Sequence, residues 1–416
     1  MNNGIYQNAG AYQIAFQAQD ITSEDMKKAI QDWYRLYYVQ APTKLEDPCQ
    51  QIGHTIVRKL TKTTFSEYEA SSKDVFAEQV LRELRAIAPE GMQYALIGGV
   101  SYLKPVPMGD RFRFLVVSRN NMLVFGRDPW GNPTDIGTAE RTACGKHYYT
   151  LLERRTVDAG GYLTIKNALY RSYDRNNLGQ RVQLNVLPQY AELPEVYTFP
   201  QPIGSIGLAQ VRVPVENCVD GGKDAVSVYA AAAGLIHNIN RNEAQLNGEF
   251  ERGKSKIIAS ADFMKKDKNG RAMIQDDVFV GIDEAPEDVG ITIFSPALRE
   301  ASYLARKQDY LRSVENMIGL KRGLLSEVEA VERTAKEITS SEGDYSLTIT
   351  DFQAMWESAV RECLRICGIL GQMYHISGAH EVAEDQIVIS WGNGVLFDEE
   401  KTRLQMLGEV QVRCLQ

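Results

Sequence analysis

Apolar residues recur along this chain at different spacings, and each spacing predicts a different kind of element. Ser23, a good helix N-cap followed by two acidic residues, predicts a helix that runs through Trp33 and Tyr37. A second helix is predicted over residues 75–88 from its helical apolar spacing. Residues 1–20 are rich in Asn, Gln, Ala and Tyr, and we expect them to form a flexible arm.

The pattern changes from helical to extended between residues 94 and 196. Short runs of β-branched and aromatic residues, such as 111–117, alternate with turn signals there. The strongest turn signals are the Asn120-Asn121 pair, the segment 128–133 and the Gly160-Gly161 pair. This region therefore predicts a meander of β-hairpins.

A long amphipathic helix is predicted over residues 223–252, after the Gly221-Gly222 pair. Its small residues and its Asn-rich polar side suit close packing against neighbouring helices, and an ordinary amphipathic helix packed within a single chain explains them equally well. The segment 254–294 then predicts a small α/β insertion with three short strands, at residues 255–260, 278–282 and 291–294.

The last third of the chain predicts two further helices. Ser295 followed by Pro296 is a strong helix start, and the apolar stripe continues to about residue 318. Residues 319–343, bounded by glycines, break the pattern. Thr350 is expected to open a long amphipathic helix, and residues 386–391 predict a strand.

Composition narrows the class of protein. The chain has 416 residues, of which 44% are hydrophobic and 24% charged, so it is long enough for two or three domains. No apolar run approaches a membrane span, and the N-terminus lacks a signal-peptide pattern. Six scattered cysteines without CxxC spacing indicate free thiols and synthesis in a cytoplasm. The net charge of -8 argues against a protein whose main task is to grip nucleic acid.

Two groups of residues suggest chemistry at first sight. Cys363 and Cys367 lie one helical turn apart, near His375 and His380, but the apolar stripe places both thiols on the core face and no second Cys pair completes a zinc site. Buried packing is the favoured interpretation, and no metal or cofactor is expected.

Cys144 and His147 form the other group, but no residue that would orient them is identifiable, so a nucleophile and base pair is not favoured. A phosphate-binding GxxxxGK[ST] motif is also missing from the sequence. No catalytic residue is therefore assigned, and the chain is not expected to be an enzyme.

Several local strings, together with the order of the elements, resemble the portal proteins of long-tailed siphophages. The resemblance extends over roughly residues 20–380, and none of the strings is a chemical signature by itself. The strings are Leu152-Glu153-Arg154-Arg155, residues 165–172, Gly204-Ser205-Ile206, and residues 333–338 followed by Tyr345.

This resemblance implies an α+β fold of the phage portal type, with a β-rich wing, a helical stem, a small α/β clip and a long wing or crown helix. It also implies a ring of about twelve subunits at one capsid vertex of the virion. The implied segments are a flexible arm (1–20), wing (21–222), first stem helix (223–253), clip (254–294), second stem helix (295–318), tunnel loop (319–343), long wing helix (344–380), and the start of a crown or a truncated C-terminal segment (381–416).

Two basic clusters are the candidate contact sites in this interpretation. The tunnel loop carries the candidate DNA-channel residues Lys321, Arg322, Arg333 and Lys336 among several glutamates, which would give weak, mixed contacts to phosphates. A surface helix with ion pairs such as Glu329 with Arg333 is an equally good interpretation. The clip carries the candidate terminase or adaptor surface, Lys265, Lys266, Lys268 and Arg271, although a short basic cluster is more often a solvated turn.

The resemblance implies the partners as well. These are further copies of the chain, double-stranded DNA passing through the channel, the terminase large subunit that supplies the energy, a head-tail adaptor, and the major capsid and scaffolding proteins, with no membrane. The main alternative is another non-catalytic ring component of the virion, such as a head-tail adaptor or minor capsid protein. An enzyme comes third, and a cleft that gathers carboxylates from distant segments would favour it.

Overall fold

The computed structural model describes the backbone of residues 9–38, 48–253, 256–260, 279–282, 292–294, 297–327 and 335–391. Contacts between Cα atoms divide the chain into two compact units. The first unit comprises Met1–Tyr38, Gln51–Ala233 and Glu315–Gln416, and the second comprises Val39–Gln50 and Gly234–Val314.

The described residues contain both helices and antiparallel sheets, as the predicted α+β class requires. None of these helices combines the length and the apolar character needed to cross a membrane. The helices are α1 (Ala9–Phe16), α2 (Glu24–Tyr37), α3 (Ile52–Thr64), α4 (Val75–Gly98), α5 (Ala233–Arg252), α6 (Glu300–Ile318) and α7 (Ala335–Met373).

Fourteen strands are described, and the longer ones lie where the sequence predicts the meander. They are β1 (Glu69–Ser72), β2 (Val100–Met108), β3 (Arg111–Ser118), β4 (Met122–Arg127), β5 (Pro133–Cys144), β6 (His147–Val157), β7 (Leu163–Ser172), β8 (Gln180–Val182), β9 (Val196–Thr198), β10 (Ala209–Arg212), β11 (Lys256–Ser260), β12 (Phe279–Ile282), β13 (Thr292–Phe294) and β14 (Ile387–Ser390).

A six-stranded antiparallel sheet dominates the first unit. Its order is β4-β5-β6-β7-β8, and β9 pairs with β7 beside β8. Both faces of the sheet are apolar, because neighbouring residues of one strand point to opposite faces. Leu152 packs beneath α1 with Tyr12, whereas Leu151 packs against Leu184 and Leu187 on the other face.

The second sheet of the first unit has the order β10-β2-β3 and is also antiparallel. Its apolar residues share one core with β4 and β5, through contacts that include Tyr102, Val124 and Ile136. Helices α4 and α7 pack against this sheet. Gly91 of α4 permits close approach, since a Cβ atom there would lie 3.0 Å from the ring of the buried Trp356 in α7.

The predicted strand at residues 386–391 is confirmed as β14, which pairs antiparallel with β1. This small sheet continues into an aromatic cluster. The indole N–H of Trp356 donates to the hydroxyl of Tyr68 at 3.1 Å, and the ring of Tyr68 lies 4.6 Å from that of Trp391. Strand β14 and Trp391 are therefore held against residues 65–72 within the first unit.

The second unit contains nearly all of α5, most of α6 and a three-stranded sheet. The three strands predicted in residues 254–294 are confirmed, with β11 in the centre, β12 parallel to it and β13 antiparallel. Helices α5 and α6 are joined by polar contacts. Arg299 donates to both carboxylate oxygens of Glu249, and the ammonium of Lys307 lies 3.2 Å from Glu243.

Buried charges connect the two sheets of the first unit. Glu153 on β6 accepts two hydrogen bonds of 2.9 Å from Lys104 on β2, and Arg155 donates to Glu153 at 2.7 Å. Burial by itself would raise the pKa of Glu153, but the charges and hydrogen bonds of Arg155 and Lys104 outweigh it and lower the pKa to about 2. The carboxylate is therefore charged in the folded protein at neutral pH.

The flexible arm expected over residues 1–20 differs from the structure in its described part. Residues 9–16 form α1, and the side chain of Tyr12 is completely buried. The hydroxyl of Tyr12 donates to the backbone oxygen of Thr138, and Arg154 donates to the backbone oxygen of Phe16 at 2.7 Å. Apolar residues on this face of the sheet need a cover, and the N-terminal segment supplies it.

Two helix boundaries near the first sheet also differ from the prediction. Helix α4 runs past Pro89 to Gly98 rather than ending at residue 88, because its second half is buried and this burial offsets the cost of an internal proline, about 3 kcal/mol. Helix α5 begins at Ala233 rather than 223. Residues 225–229 are all buried, and the amide of Val228 donates to the backbone oxygen of Leu96. An amphipathic helix would bury only one face of this segment, so a segment in which every residue is buried does not fit that pattern.

The last two helices differ from the prediction at their starts. Helix α6 begins at Glu300 rather than at Ser295 and Pro296, which lie outside the described residues. Helix α7 begins at Ala335 rather than at Thr350, so only residues 319–327 of the expected tunnel loop are described as non-helical. The hydroxyl of Thr350 donates to the backbone oxygen of Ser346, which is typical of a threonine inside a helix rather than at its cap.

We expect acid to remove a stabilising contribution that Glu153 makes at neutral pH. Because its pKa is lowered from 4.5 to about 2 on folding, this contribution is present above the unfolded-state pKa and is lost as the pH falls from about 5 to 2. Denaturant unfolding at several pH values should show it, with a shallower loss of unfolding free energy in Glu153→Gln. An equally steep loss in the variant would contradict this assignment.

Candidate functional site

The segment that follows α6 is the part of the described chain where predicted contact residues come together. Helix α6 ends at Ile318, and Gly319 continues with a positive φ of 73°. The amide of Leu320 donates back to the backbone oxygen of Glu315 at 2.9 Å, which is the bond expected of a Schellman helix end. The chain therefore leaves the helix by a defined turn.

Residues 321–324 then form a tight turn. The amide of Leu324 donates to the backbone oxygen of Lys321 at 3.1 Å, and Gly323, the third residue of the turn, has a φ of 94°. Glycine suits this position because other residues are strained at such a φ. The side chains of Lys321 and Arg322, the first two residues of the turn, are exposed to solvent.

The buried carboxylate of Glu315 accepts hydrogen bonds from this turn and from the residues after it. The side chain of Glu315 is completely buried, and its Oε1 accepts backbone N–H bonds from Gly323 at 3.1 Å, Leu325 at 2.5 Å and Ser326 at 3.0 Å. Its Oε2 accepts a fourth bond, of 2.7 Å, from the hydroxyl of Ser326. One acid thus satisfies three main-chain donors within four residues of the loop, which fixes the path of the backbone there.

Helix α7 also contacts this segment, because the hydroxyl of Thr348 donates to the backbone oxygen of Gly319 at 3.2 Å. Nearby on α7, the hydroxyl of Tyr345 donates to the side chain of Thr63 in α3 at 3.0 Å. Burial raises the pKa of Tyr345, while the hydrogen bond to Thr63 and the positive charge of Lys321 act in the opposite direction. The ammonium group of Lys321 therefore acts electrostatically on the surface of α7.

The structure brings together two of the four candidate DNA-channel residues. Lys321 and Arg322 share one turn. Arg333 lies outside the described residues, and Lys336 belongs to α7 with a side chain that lies outside them. The candidate clip residues also lie outside the described residues; they are Lys265, Lys266, Lys268 and Arg271.

Sequence reasoning missed Glu315, although the sequence contains a signal for it. Glu315 follows Leu311 by four residues and precedes Ile318 by three, so it occupies the buried stripe of α6. An acid in an apolar stripe, just before a glycine that ends the helix, requires donors nearby. The loop amides are the nearest such donors along the chain.

The two cysteine groups differ in burial. Cys363 and Cys367 are both fully buried in α7, and burial, followed by the hydrogen bond and charge of Cys363, raises the pKa of Cys367 well above the ordinary value. Cys144 is exposed and faces His147 across the β5–β6 hairpin, where the His147 ring lies 4.5 Å from Tyr173. Within the described part of the chain, no group of His, Cys, Asp and Glu is arranged to hold a metal ion.

A cleft of about 500 Å³ lies in the first unit, and it does gather carboxylates from distant segments. Asp128 follows β4 and Glu362 belongs to α7, and both line the cleft together with Arg212, Gln210 and Ser358. Catalysis by an acid and a base would require at least one of these carboxylates to have an available proton near neutral pH.

Both carboxylates are instead committed to neighbours. Asp128 accepts from the amides of Trp130 and Asn132 at 3.0 and 2.7 Å and from the side chain of Asn132 at 2.9 Å. Desolvation acts to raise the pKa of Asp128, but these hydrogen bonds, led by that of the Asn132 side chain, outweigh it and lower the pKa. The oxygens of Glu362 accept from Arg365 at 2.8 and 2.7 Å. The pair is therefore better suited to holding the backbone and Arg365 in place than to proton transfer.

No protein-family model and no curated protein matches this sequence. Among solved structures, the chain is similar to a chain from the neck of a native gene transfer agent particle computed with C12 symmetry. The TM-score is 0.47 and the sequence identity 12%, over 97% of this chain and 94% of the other. A similarity at this level carries no conclusion about a shared function.

We expect Glu315→Ala to release the turn at residues 321–326. The change leaves three backbone N–H groups and one hydroxyl without their acceptor, so a loss of about 3 kcal/mol in unfolding free energy is expected. Amide hydrogen exchange should accelerate at Leu325 and Ser326. Glu300→Ala, which removes an exposed acid from the same helix, is the matched control, and equal effects of the two variants would contradict the role of Glu315.

Proposed function

We propose that this chain is a subunit of the portal ring of a tailed bacteriophage, a non-catalytic virion component through which the genome is packaged and ejected. The support lies in the order of elements along the chain together with the sequence strings that resemble siphophage portals. The ring would contain about twelve copies and would occupy one vertex of the capsid.

The observation that carries this proposal is the place of the second unit in the chain. That unit contains α5, the sheet of β11, β12 and β13, and then α6, and it is inserted between the β-rich part of the first unit and α7. The portal resemblance implies the same succession: wing, stem helix, clip, stem helix, tunnel loop and long helix.

The turn after α6 would then be the described part of the tunnel loop. Lys321 and Arg322 offer two exposed positive charges per copy, and the chain as a whole has a net charge of -8. Two cations per copy, on a protein with a net negative charge, would make weak and salt-sensitive contacts with phosphates. Repeated around a ring, such contacts would steady duplex DNA without stopping its movement.

The chain would depend on partners for energy and for attachment. Its sequence has no phosphate-binding motif, so the terminase large subunit would drive packaging. The clip, with Lys265, Lys266, Lys268 and Arg271, would meet terminase first and the head-tail adaptor later. The major capsid and scaffolding proteins would surround the ring in the virion.

We expect purified protein to form hollow rings of about twelve subunits with a central channel. Negative-stain electron microscopy combined with native mass spectrometry would show the ring and count its subunits. Rings without a channel wide enough for duplex DNA, roughly 20 Å, would favour another virion ring component. A stable monomer or dimer would contradict the proposal.

We also expect Lys321→Ala/Arg322→Ala particles to retain packaged DNA less well than wild-type particles. The turn should keep its shape, because Glu315 holds it through backbone amides. Nuclease-resistant DNA per particle, measured over a series of salt concentrations, would report retention. Arg241→Ala, which removes an exposed cation from α5, controls for a general loss of positive charge, and unchanged retention in the double variant would refute the assignment.

A further inference from the structure

The two edges of the six-stranded sheet carry different surfaces at the same end of the sheet. Strand β4 lies at one edge and β9 at the other. One row of paired residues crosses the sheet through Gly126, Asp135, Thr156, Thr164 and Thr198. This row contains four strand spacings of about 4.8 Å, so the edges lie roughly 19 Å apart. The turn that joins β4 to β5 and strand β9 therefore stand at the same end of the sheet.

The turn beside β4 presents a tryptophan on a rigid support. Trp130 is 79% exposed, although its own amide and that of Asn132 are bound by the carboxylate of Asp128. The amide of Gly131 donates to the backbone oxygen of Asp128 at 3.0 Å, and Arg127 donates to the backbone oxygen of Gly131 at 2.7 Å. A large aromatic side chain on a fixed turn loses little entropy on binding, which is typical of an interface anchor.

A lysine lies next to this anchor. The side chain of Lys223 runs along Gly131, since a Cβ atom at Gly131 would lie 3.0 Å from the Cβ and 3.4 Å from the Cδ of Lys223. Lys223 is exposed, and across the described ranges no acidic side chain lies within ion-pair distance of its ammonium group. Trp130 and Lys223 together form a surface that we call the Trp130 knob.

Strand β9 presents the opposite character. All three of its residues are exposed, including Val196 at 58% and Tyr197 at 39%. The backbone of Glu195 and that of Phe199 bond toward β7, so the alternation of the strand turns the N–H and C=O groups of Val196 outward. The carboxylate of Glu195 is 64% exposed and shares only an exposed ion pair of 3.3 Å with Arg181. The edge therefore presents apolar side chains, one exposed carboxylate and outward backbone groups that can form hydrogen bonds.

We propose that the Trp130 knob of one copy packs against strand β9 of the next copy in the ring. The indole would cover Val196, its N–H would donate to the outward backbone oxygen of Val196, and Lys223 would face Glu195. This inference rests on the proposed portal function. A ring of identical subunits needs a head-to-tail contact between two different patches on opposite sides of the subunit, and the two sheet edges supply such a pair.

Charge and shape favour a second copy as the occupant of both edges. The knob presents an indole and the ammonium group of Lys223, and the β9 edge presents the side chain of Val196 and the carboxylate of Glu195, so each group of the knob has a counterpart on the edge. A nucleic acid bound to the knob would leave β9 uncovered. One contact between copies covers an open strand edge, which proteins otherwise protect from unwanted pairing.

Ring stability in substituted proteins tests the anchor. Trp130→Ala should raise the protein concentration at which half of the rings dissociate by about tenfold or more, as expected for a central tryptophan. Tyr173→Ala is the matched control, because Tyr173 is equally exposed but lies at the opposite end of β7 from the β9 pairing. Unchanged dissociation of Trp130→Ala rings would overturn the proposal.

A charge exchange tests the facing pair. Lys223→Glu should weaken the ring, and Glu195→Lys added to it should restore part of the lost stability, because the swapped charges again attract each other. The two single variants should each be weaker than the double variant. Additive weakening, with no rescue, would contradict the facing of Lys223 and Glu195.

Crosslinking tests the contact without removing the tryptophan. Pro129→Cys combined with Val196→Cys, in a chain that also carries Cys144→Ser and Cys218→Ser, should form disulfide-linked ladders of copies on mild oxidation. Each cysteine variant alone should give no ladder. If rings form but give no ladder, the Trp130–β9 contact is wrong and the portal function still stands. If the chain that carries only Cys144→Ser and Cys218→Ser forms no ring, the portal function is contradicted as well.

Discussion

The first unit depends on a sheet that is apolar on both faces. Along β6, Leu151 and Leu152 are successive residues, so their side chains point to opposite sides and both sides must be kept from water. Helix α1 covers one side, and the three-stranded sheet and the turns at residues 184–190 cover the other. The strands can then meet solvent or a partner only at the ends and edges of the sheet.

Buried charges join these layers at defined places. Glu153 connects β6 to Lys104 on β2, and Arg119, which is 1% exposed, donates to the backbone oxygen of Met122 and to the hydroxyl of Thr22. Asp224 pairs with Arg119 and with Arg127. Because an unpaired buried ion is costly, each of these contacts selects one arrangement of the layers, although such pairs add little net stability over apolar packing.

The elements that the sequence predicted well are those with a strong period. Strand β3, the three short strands of the second unit and strand β14 lie within about two residues of their expected bounds. The boundaries that were wrong depend on contacts distant in sequence. Residues 225–229 have helical spacing, but all of them are buried, and Val228 bonds to the end of α4. Helix α1 has no clear amphipathic pattern, and its position depends on contacts with a sheet that is distant in sequence.

The candidate site was predictable only in part, for a related reason. Basic residues at 321 and 322 are visible in the sequence, but their arrangement depends on Glu315 binding amides eight to eleven residues further along. An acid in the apolar stripe of α6 indicates that donors are needed nearby, but backbone N–H groups are the same at every residue, so the sequence does not show which of them bind it. The edges of the six-stranded sheet were equally hidden, because strand order follows from pairing rather than from composition.

The main-chain binding by Glu315 separates the shape of the turn from the charge that it carries. Glu315 binds backbone N–H groups of residues 323–326, whereas positions 321 and 322 contribute a backbone oxygen and two exposed side chains. Substitutions at these two positions can therefore change the sign, size or reach of the presented groups while Glu315 keeps its bonds to the backbone. Under the proposed function, evolution could retune how strongly the loop resists a passing polymer without rebuilding the protein around it.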